Sequence, residues 1–389
     1  MQSDLPQRKA DSETYLAALP DGITSLVRER ESLRTKGEYV QADQIRSEIE
    51  SAGYTINDTA NGCIVLPRRL EDEFTVLSSS SDAPDNTQQA DLYAFSVNLL
   101  AHNSQADLER CIQGICRHSG DRSIELVIID NGSTDETLAY LEQLARQDAL
   151  VGANGQHIGL QVLFADHNMG FAAGRNATMR ASRGHYIVLM DTSIEVDGDI
   201  WEPLTNTLAD RNIGVVGPYG LITEDLREYQ ENSGPDVDAI EGYLMAFRRE
   251  LLPEVGWIDE RFRFYRLMDI YFSFFFKTSG YRVLTTPMVA ERIQKHPHRE
   301  WYSLSEEERE TKSKKNYDIF RDRWHHGESL LVANYRPQNL WRGHDHPYHL
   351  EGTHTHSPDE LPPEGAMHTH IHQHWPDHSH EHAHYHQNR

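Results

Sequence analysis

The chain has 389 residues and a mass of 44.7 kDa, and its length alone suggests two or three domains. Asp and Glu (61) outnumber Lys and Arg (37), giving a formal net charge of −24 that argues against nonspecific binding to nucleic acid. No apolar run reaches the ~18 residues of a membrane-spanning helix, and the N-terminus lacks the apolar core of a signal peptide. Three cysteines are too few for a disulfide scaffold, so we expect a cytoplasmic protein without a transmembrane segment.

Shifts in composition divide the chain into six segments. Ser, Asp, Asn, Gln and Pro dominate one internal stretch, SSSSDAPDNTQQAD, which is typical of a linker. The predicted segments are a disordered N-terminus (1–22), a helical hairpin module (23–70), a linker (71–91), an α/β domain (92–325), a C-terminal extension (326–343) and a disordered His-rich tail (344–389).

The N-terminal module contains two runs of apolar residues at helical spacing, separated by Gly37, and then a short hairpin with Asn-Gly at 61–62. The segment resembles the C-terminal helical domain of cysteinyl-tRNA synthetases, through Arg28, Arg34, Ala42, Asp43, Ile45, Arg46, Gly53, Asp58 and Gly62. Residues 21–70 hold no excess of positive charge, so we expect a docking or packing module rather than an RNA-binding one.

Residues 93–191 alternate between apolar strands and amphipathic helices. This β-α-β-α-β-α-β order predicts an α/β fold with a mostly parallel sheet flanked by helices on both faces. Ligands of such sheets bind beyond the carboxyl ends of the strands, where Asp130 and Asp191 are predicted to lie.

Two motifs follow these strands. LVIIDNGSTDET places Asp130 at a sheet edge, where a carboxylate can accept hydrogen bonds from a ribose or a base. On its own, this motif is better explained as a plain β-turn followed by a helix with an acidic cap. In DHNMGFAAGRNATMRASRGHYIVLMDTS, Gly170 and Gly174 allow close approach of a ligand, Arg175 and Asn176 lie in the first turn of a helix that can face a diphosphate, and Asp191 suits a divalent cation.

Taken in order, IIDNGSTD, HNMGFAAGRN and YIVLMDTS resemble a family 2 glycosyltransferase of GT-A fold. Later segments, VGPYG at 216–220, GYLMAFRRELLPEVGWIDERFRFYRLMD at 242–269 and SGYRV at 279–283, are similar to the acceptor half of that family. The resemblance covers residues 91–324. It implies metal-assisted transfer of a sugar, with inversion, from a nucleotide-diphosphate sugar to a hydroxyl of a glycan, lipid-linked or protein acceptor.

The resemblance also implies roles for individual residues. Asp269 would be the general base. The substrate-binding residues would be Asn103, Asp130, Asn168, Gly170, Arg175 and Asn176. Mg²⁺ or Mn²⁺ would be bound by Asp191, Ser193, His296 and His298.

Three departures from the family pattern support an alternative, a catalytically weak or inactive relative that binds a nucleotide sugar or glycan or acts as an interaction scaffold. Ser193 stands where the second carboxylate of the metal motif is usual, and Met268 replaces the Glu that precedes the base. The following helix carries an aromatic run, 271–276, which fits either a core or the wall of a lipid-like acceptor site.

The tail contains 14 of the 23 histidines, many in His-x-His repeats. Neutral imidazoles bind Zn²⁺ or Ni²⁺ readily, so a metal-handling protein is a third hypothesis, although a solvated tail without that purpose fits equally well. The candidate metal-binding residues are His368, His370, His372, His374, His378, His380, His382, His384 and His386.

Overall fold

The structure, a computed structural model, describes residues 19–59, 62–67, 70–147, 149–297 and 304–334, together with the backbone of 367–374 and 378–385. Predictions for His298, for His386 and for the disordered state of residues 1–18 lie outside the described residues. The chain divides into two compact units, residues 1–75 and 76–389. In the described residues no helix combines the length and apolar character needed to cross a bilayer.

The first unit is the predicted helical hairpin with its β-hairpin. Its elements are α1 (Asp21–Thr35), α2 (Tyr39–Ser51), β1 (Tyr54–Thr59) and β2 (Gly62–Pro67). α1 begins within the segment predicted to be disordered. The two strands pair antiparallel, and Ile23, Val27, Ile49, Ile56 and Val65 form a small separate core. Arg30 is fully buried and donates two hydrogen bonds to the Asp58 carboxylate, at 2.9 and 3.0 Å.

The second unit is built on a nine-stranded sheet. Its strands are β3 (Val76–Leu77), β4 (Tyr93–Ala101), β5 (Ile124–Asp130), β6 (Ala149–Val151), β7 (His157–Ala165), β8 (Gly184–Met190), β10 (Ile213–Gly217), β14 (Leu244–Arg248) and β15 (Arg282–Thr285). Short strands outside this sheet are β9 (Ile194–Val196), β11 (Gly220–Ile222), β12 (Gln230–Asn232), β13 (Ala239–Ile240) and β16 (Ile293–Lys295).

Helices connect and cover these strands. They are α3 (Gln105–His118), α4 (Glu136–Ala145), α5 (Phe171–Ala181), α6 (Trp201–Leu208), α7 (Leu252–Val255), α8 (Met268–Thr278), α9 (Pro287–Ala290) and α10 (Glu306–Trp324). The predicted α/β class is confirmed, and all seven predicted elements between residues 93 and 191 are present. Every residue of β5 is buried, as expected of a central strand covered by helices on both faces.

The strand order is β15-β10-β14-β8-β4-β5-β7-β3, with β6 paired to β7. Strands β8, β4, β5, β7 and β3 pair parallel, so their carboxyl ends meet at one edge. β14 runs antiparallel between β8 and β10, which makes the sheet mixed but mostly parallel. This antiparallel insertion brings the residues just before β14 beside the carboxyl end of β8.

Within the predicted linker at 71–91, the residues from Val76 onward belong to the second unit. β3 pairs parallel with β7 through Phe164 and Ala165. The following residues are tied to the domain by Arg249, whose guanidinium donates to the carbonyls of Asn86 and Gln89 and to the Asp91 carboxylate. The polar composition of this stretch suggested a free linker because composition does not reveal an arginine more than 150 residues later in the chain.

The aromatic run of α8 forms core rather than an acceptor wall. Phe272, Phe274 and Phe276 are fully buried, and Phe272 and Phe276 contact Phe247 of β14 edge-on or tilted at 5.7 and 5.4 Å between ring centroids. Trp324 at the end of α10 packs on Phe274. α10 begins with a capping box that joins Ser305 to Glu308.

Part of the tail differs from the predicted disorder. β17 (Met367–His374) and β18 (His378–Tyr385) pair antiparallel, with His374 opposite His378 and His368 opposite His384. The His-x-His repeat has a period of two residues, which is also the side-chain period of a strand.

Candidate functional site at the carboxyl edge of the sheet

Asp130 ends β5 and lies at the base of the turn that follows. Its side chain is buried, and both carboxylate oxygens accept a hydrogen bond from the backbone N–H of Ser133 at 3.2 Å. Burial raises the pKa of the Asp130 carboxyl, and the hydrogen bonds from Ser133 oppose that shift. The sequence placed Asp130 at this edge, and the structure adds that its carboxylate also closes its own turn.

Asn103 and Asn168 hold the surrounding loops together. Asn103 adopts a left-handed backbone conformation (φ 49°), and its Oδ1 accepts from the N–H of Thr134 at 2.8 Å. Oδ1 of Asn168 accepts from the N–H of Gly170 at 2.9 Å and from Nδ2 of Asn131 at 3.3 Å. These bonds join the loops after β4, β5 and β7 into one surface.

Two glycines allow this close approach. A Cβ at Gly132 (φ 75°) would lie 2.6 Å from the backbone N of Asn168. Gly170 (φ 92°) precedes α5, and a Cβ there would lie 3.0 Å from the Cα of Arg263. Both positions combine a left-handed conformation with contact to a neighbouring loop, so a side chain would force the loops apart.

Arg175 does not occupy the position expected for a diphosphate ligand. Its guanidinium is buried beneath the sheet edge and donates to the carbonyls of Asn98 (2.7 Å) and Met190 (2.9 Å). Burial lowers the pKa of Arg175 to about 10. Since Met190 immediately precedes Asp191, Arg175 joins β4 to the end of β8 next to Asp191, and its positive charge interacts with the Asp191 carboxylate.

Asn176 is likewise engaged by the protein. Its Nδ2 donates to the carbonyl of Ile258 at 2.8 Å and to Oε1 of Glu260 at 3.0 Å, while Oδ1 accepts from the N–H of Ile258 at 3.1 Å. The side chain is buried, so it joins α5 to the segment at 258–260. Helical periodicity located α5 correctly but could not show that this face turns inward.

Asp191 is placed by strands on both sides. Its backbone N–H donates to the carbonyl of Tyr243, the residue just before β14, at 2.9 Å. Its Oδ1 accepts from the N–H of Ser193 at 2.8 Å. β9 then pairs antiparallel with β16, and the N–H of His296 donates to the carbonyl of Ser193 at 2.9 Å. This pairing brings His296, about a hundred residues later in the chain, to the metal motif.

The donor atoms here fit a divalent cation that is bound mainly by phosphate oxygens. Ser193 Oγ is buried and has no hydrogen-bond partner among the described residues, while Nε2 of His296 lies 2.9 Å from Oε2 of Glu195. The described ranges contain no group of three or more His, Cys, Asp or Glu residues that could hold a metal ion. Mg²⁺ usually needs only one or two carboxylates when substrate phosphates and water complete its shell, and Asp191 supplies one.

Asp269 lies in the first turn of α8. Oδ2 accepts from the N–H of Gly242 at 2.8 Å, and Oδ1 from the N–H of Ile270 at 2.9 Å. Burial raises the pKa of the Asp269 carboxyl to about 6, and the two hydrogen bonds oppose the shift. Leu267, just before the helix, has a left-handed backbone (φ 66°). Met268 is buried in the core, so the position of the expected Glu carries no charge towards the site.

One cavity of about 980 Å³ brings Asp191, Asp269 and His296 together. Sequence reasoning missed two further lining residues, Glu241 and Lys295. Nζ of Lys295 lies 3.4 Å from Oε2 of Glu241 and 3.6 Å from the ring centroid of Tyr243. Their sequence positions could have indicated them, because Glu241 directly precedes the GYLM segment and Lys295 directly precedes His296.

The charges of this pair depend on each other. Burial raises the pKa of Glu241, and Lys295 opposes that shift. Burial lowers the pKa of Lys295, but Glu241 and Tyr243 outweigh it, so the net shift is upward. Lys295 is therefore held in its charged form inside the cavity that also contains Asp191 and Asp269.

A mostly parallel sheet with carboxylates at its carboxyl edge, and an antiparallel strand leading to a second carboxylate, define a GT-A type domain. The model of glycosyl transferase family 2 matches residues 96–289. That part of the chain therefore belongs to glycosyl transferase family 2, which confirms the resemblance inferred from the motifs.

Individual relatives are distant. A putative glycosyltransferase EpsH of Bacillus subtilis is 25% identical over 132 residues, covering 34% of this chain and 35% of that protein. An uncharacterized glycosyltransferase of Haemophilus influenzae is 25% identical over 118 residues, covering 30% of this chain and 43% of that protein. The aligned part thus spans less than half of either relative. A solved structure of GalNAc-T7 with UDP, GalNAc and Mn²⁺ is 19% identical, covers 60% of this chain and 48% of that one, and has a TM-score of 0.48.

Proposed function

We propose that the chain transfers a sugar from a nucleotide-diphosphate sugar to an acceptor hydroxyl with inversion at the anomeric carbon. The acceptor oxygen forms the new bond to the anomeric carbon while the bond from that carbon to the diphosphate oxygen breaks. Asp269 takes the hydroxyl proton, and the nucleoside diphosphate leaves with the bonding electron pair. A single displacement of this kind inverts the anomeric configuration.

The observation that carries this proposal is that Asp191 and Asp269 line the same cavity. Two adjacent residues bind both aspartates. The N–H of Gly242 donates to the Asp269 carboxylate, and the carbonyl of Tyr243 accepts from the N–H of Asp191. A carboxyl with a pKa of about 6 is ionised at neutral pH yet basic enough to accept a proton from a hydroxyl in the transition state. The arrangement therefore supports a base at one side of the cavity and a diphosphate at the other.

The donor would lie along the edge formed by Asp130, Asn103 and Asn168, with its diphosphate near Asp191. When bound, Mg²⁺ or Mn²⁺ would neutralise charge that develops on the departing diphosphate, with Asp191, Ser193 and His296 as its protein ligands. Arg175 is proposed to position Asp191 rather than to bind the diphosphate, because its guanidinium is bonded to two carbonyls.

Calorimetric titration of the full chain with UDP, GDP and dTDP, each with Mg²⁺, tests the donor site. We choose Mg²⁺ rather than Mn²⁺ for the titration because the imidazoles of the tail bind Mg²⁺ poorly. We expect one nucleotide to bind, with affinity reduced at least ten-fold in Asp191→Asn and unchanged in Asp121→Asn, an exposed carboxylate of a distant loop.

Catalysis is tested separately, as release of that nucleoside diphosphate from its sugar conjugate in the presence of an acceptor mixture. Asp269→Asn is expected to lower kcat by about 10²–10⁴-fold, the usual contribution of a general base, while nucleotide affinity is retained. Transfer that persists in this variant would contradict the role of Asp269. Nucleotide binding without any transfer by the wild-type chain would favour the inactive relative that Ser193 and Met268 suggested.

A further inference from the structure

The charges that line the cavity are separated by depth. Its exposed rim carries three cations, Arg227, Arg266 and Lys314, and one carboxylate, Glu231. The less accessible floor carries the carboxylates Asp191, Glu241 and Asp269, and Lys295, an exposed residue of the lining, pairs with Glu241. In a chain with a formal net charge of −24, a predominantly cationic rim is unexpected.

Two of the rim cations form no ion pair of the kind that Lys295 forms. Arg227, in the loop before β12, interacts with the exposed Asp225 carboxylate only at longer range, and Lys314 lies exposed on α10. Lys295, by contrast, is paired with Glu241. Exposed cations on two separate elements around one opening would attract an anionic group of a ligand on entry.

Half-buried tyrosines also line the cavity. Tyr229, Tyr265 and Tyr317 line the cavity, and the hydroxyl of Tyr229 is buried with no hydrogen-bond partner in the part of the chain that the structure describes. A tyrosine offers an apolar face and a hydrogen-bonding hydroxyl, which suits the alternating CH and OH groups of a sugar ring. The unpaired hydroxyl of Tyr229 therefore indicates a polar ligand in the cavity rather than an alkyl chain.

From these contacts we propose that the acceptor is an anionic saccharide. Its reactive hydroxyl lies at Asp269, its ring lies against the tyrosines, and its carboxylate or phosphate group lies between Arg227 and Lys314. This inference rests on the proposed function, because it assigns the rim to the acceptor of that reaction. The loops around Asp130 and Asn103 do not line this cavity, so the rim cations lie away from the edge assigned to the donor nucleoside.

The test compares D-glucuronic acid and glucose 6-phosphate with glucose, titrated into the full chain by NMR with and without bound nucleotide. At least one anionic sugar is expected to bind at least ten-fold more tightly than glucose, and raising the salt concentration should reduce the difference. The sugar that binds distinguishes a carboxylate from a phosphate. If glucose binds as tightly as both anionic sugars, the proposal is overturned.

Charge reversals locate the anion. Arg227→Glu and Lys314→Glu are each expected to abolish the preference for the anionic sugar, whereas Lys315→Glu, the next exposed residue of α10 and not part of the cavity lining, should retain it. An equal effect of Lys315→Glu would mean that only overall charge matters and would overturn the proposal. So would loss of nucleotide affinity in the two rim variants, because the cations would then belong to the donor.

The two proposals fail in different measurements. If no nucleotide binds to the wild-type chain, the proposed transferase function is contradicted, while sugar titration without nucleotide still reports on the rim. If nucleotide binds and is released by transfer, but neither rim variant alters the preference between anionic and neutral sugars, only the assignment of the acceptor is contradicted.

Discussion

The backbone N–H of Gly242 donates to Oδ2 of Asp269 across 2.8 Å. The Cα of Gly242 also lies close to the Asp269 side chain. A Cβ at Gly242 would lie 3.2 Å from the Cβ of Asp269 and 3.3 Å from its Oδ2. Tyr243, the residue after Gly242, accepts a hydrogen bond from the N–H of Asp191. The two adjacent residues Gly242 and Tyr243 therefore position both aspartates of the proposed mechanism.

Gly242→Ala should therefore displace Asp269 and lower kcat by roughly ten- to a hundred-fold, since small misplacements of a catalytic group are costly. The added methyl group is too tightly placed for Asp269 to keep its present position. Gly22→Ala, where no atom lies within 4 Å of the new Cβ, serves as the control and should leave kcat unchanged. Equal kcat values for Gly242→Ala and wild type would show that this contact does not position the carboxylate.

The pH profile of transfer should have an acidic limb near pH 6. The folded-state pKa of Asp269 is raised above its ordinary value of 3.8, so the base is ionised above about pH 6 and becomes protonated as the pH falls below it. kcat/KM is then expected to fall about ten-fold per pH unit below that point. Measurement of kcat/KM between about pH 4.5 and 8.5, a range that brackets this pKa, checks the acidic limb.

Glu241→Gln tests the origin of that pKa. The negative charge of Glu241 contributes to raising the pKa of Asp269, after the larger effect of burial. Its removal should move the acidic limb to lower pH, whereas Glu136→Gln, an exposed carboxylate at the start of α4, should leave the limb in place. A limb that does not move in Glu241→Gln would indicate that another group controls the profile.

Ser193→Asp should strengthen the dependence of nucleotide binding on Mg²⁺. Ser193 Oγ is buried without a hydrogen-bond partner among the described residues. The backbone N–H of Ser193 donates to Oδ1 of Asp191, so the two residues lie side by side. A second carboxylate adds an anionic oxygen of the type Mg²⁺ prefers, so nucleotide affinity in the presence of Mg²⁺ should rise about ten-fold. Ser193→Ala should bind no more tightly than wild type, and a gain of affinity in that variant would contradict the explanation. Thermal melting checks that both variants fold.

Lys277→Met should strongly destabilise the second unit. Lys277 and Asp238 are both almost fully buried and lie 3.1 Å apart, and Lys277 also donates to the carbonyl of Leu330 at 2.8 Å. Removing the ammonium leaves a buried carboxylate, which typically costs about 3–5 kcal/mol in the free energy of unfolding. The nearby pair of Arg282 and Asp236 is more exposed, so Arg282→Gln should cost less than about 1 kcal/mol. Urea denaturation compares the two, and similar losses would contradict the distinction.

The sequence by itself determined the order of strands and helices between residues 93 and 191, because strand and helix impose different periods on apolar residues. It also determined which residues follow the strands, and so placed Asp130 and Asp191 at one edge of a parallel sheet. The motifs that follow these strands were sufficient to identify the family.

Tertiary structure decided which polar side chains line the cavity and which instead form hydrogen bonds to other protein groups. Arg175 and Asn176 occupy the helix turn that the motif indicated, yet both bind protein groups, because the direction of a side chain depends on packing partners distant in the chain. The placement of Glu241 and Lys295 beside Asp269 and Asp191 depends on the antiparallel insertion of β14 and on the pairing of β16 with β9. Such pairings join segments 50 to 100 residues apart, and no local pattern encodes them.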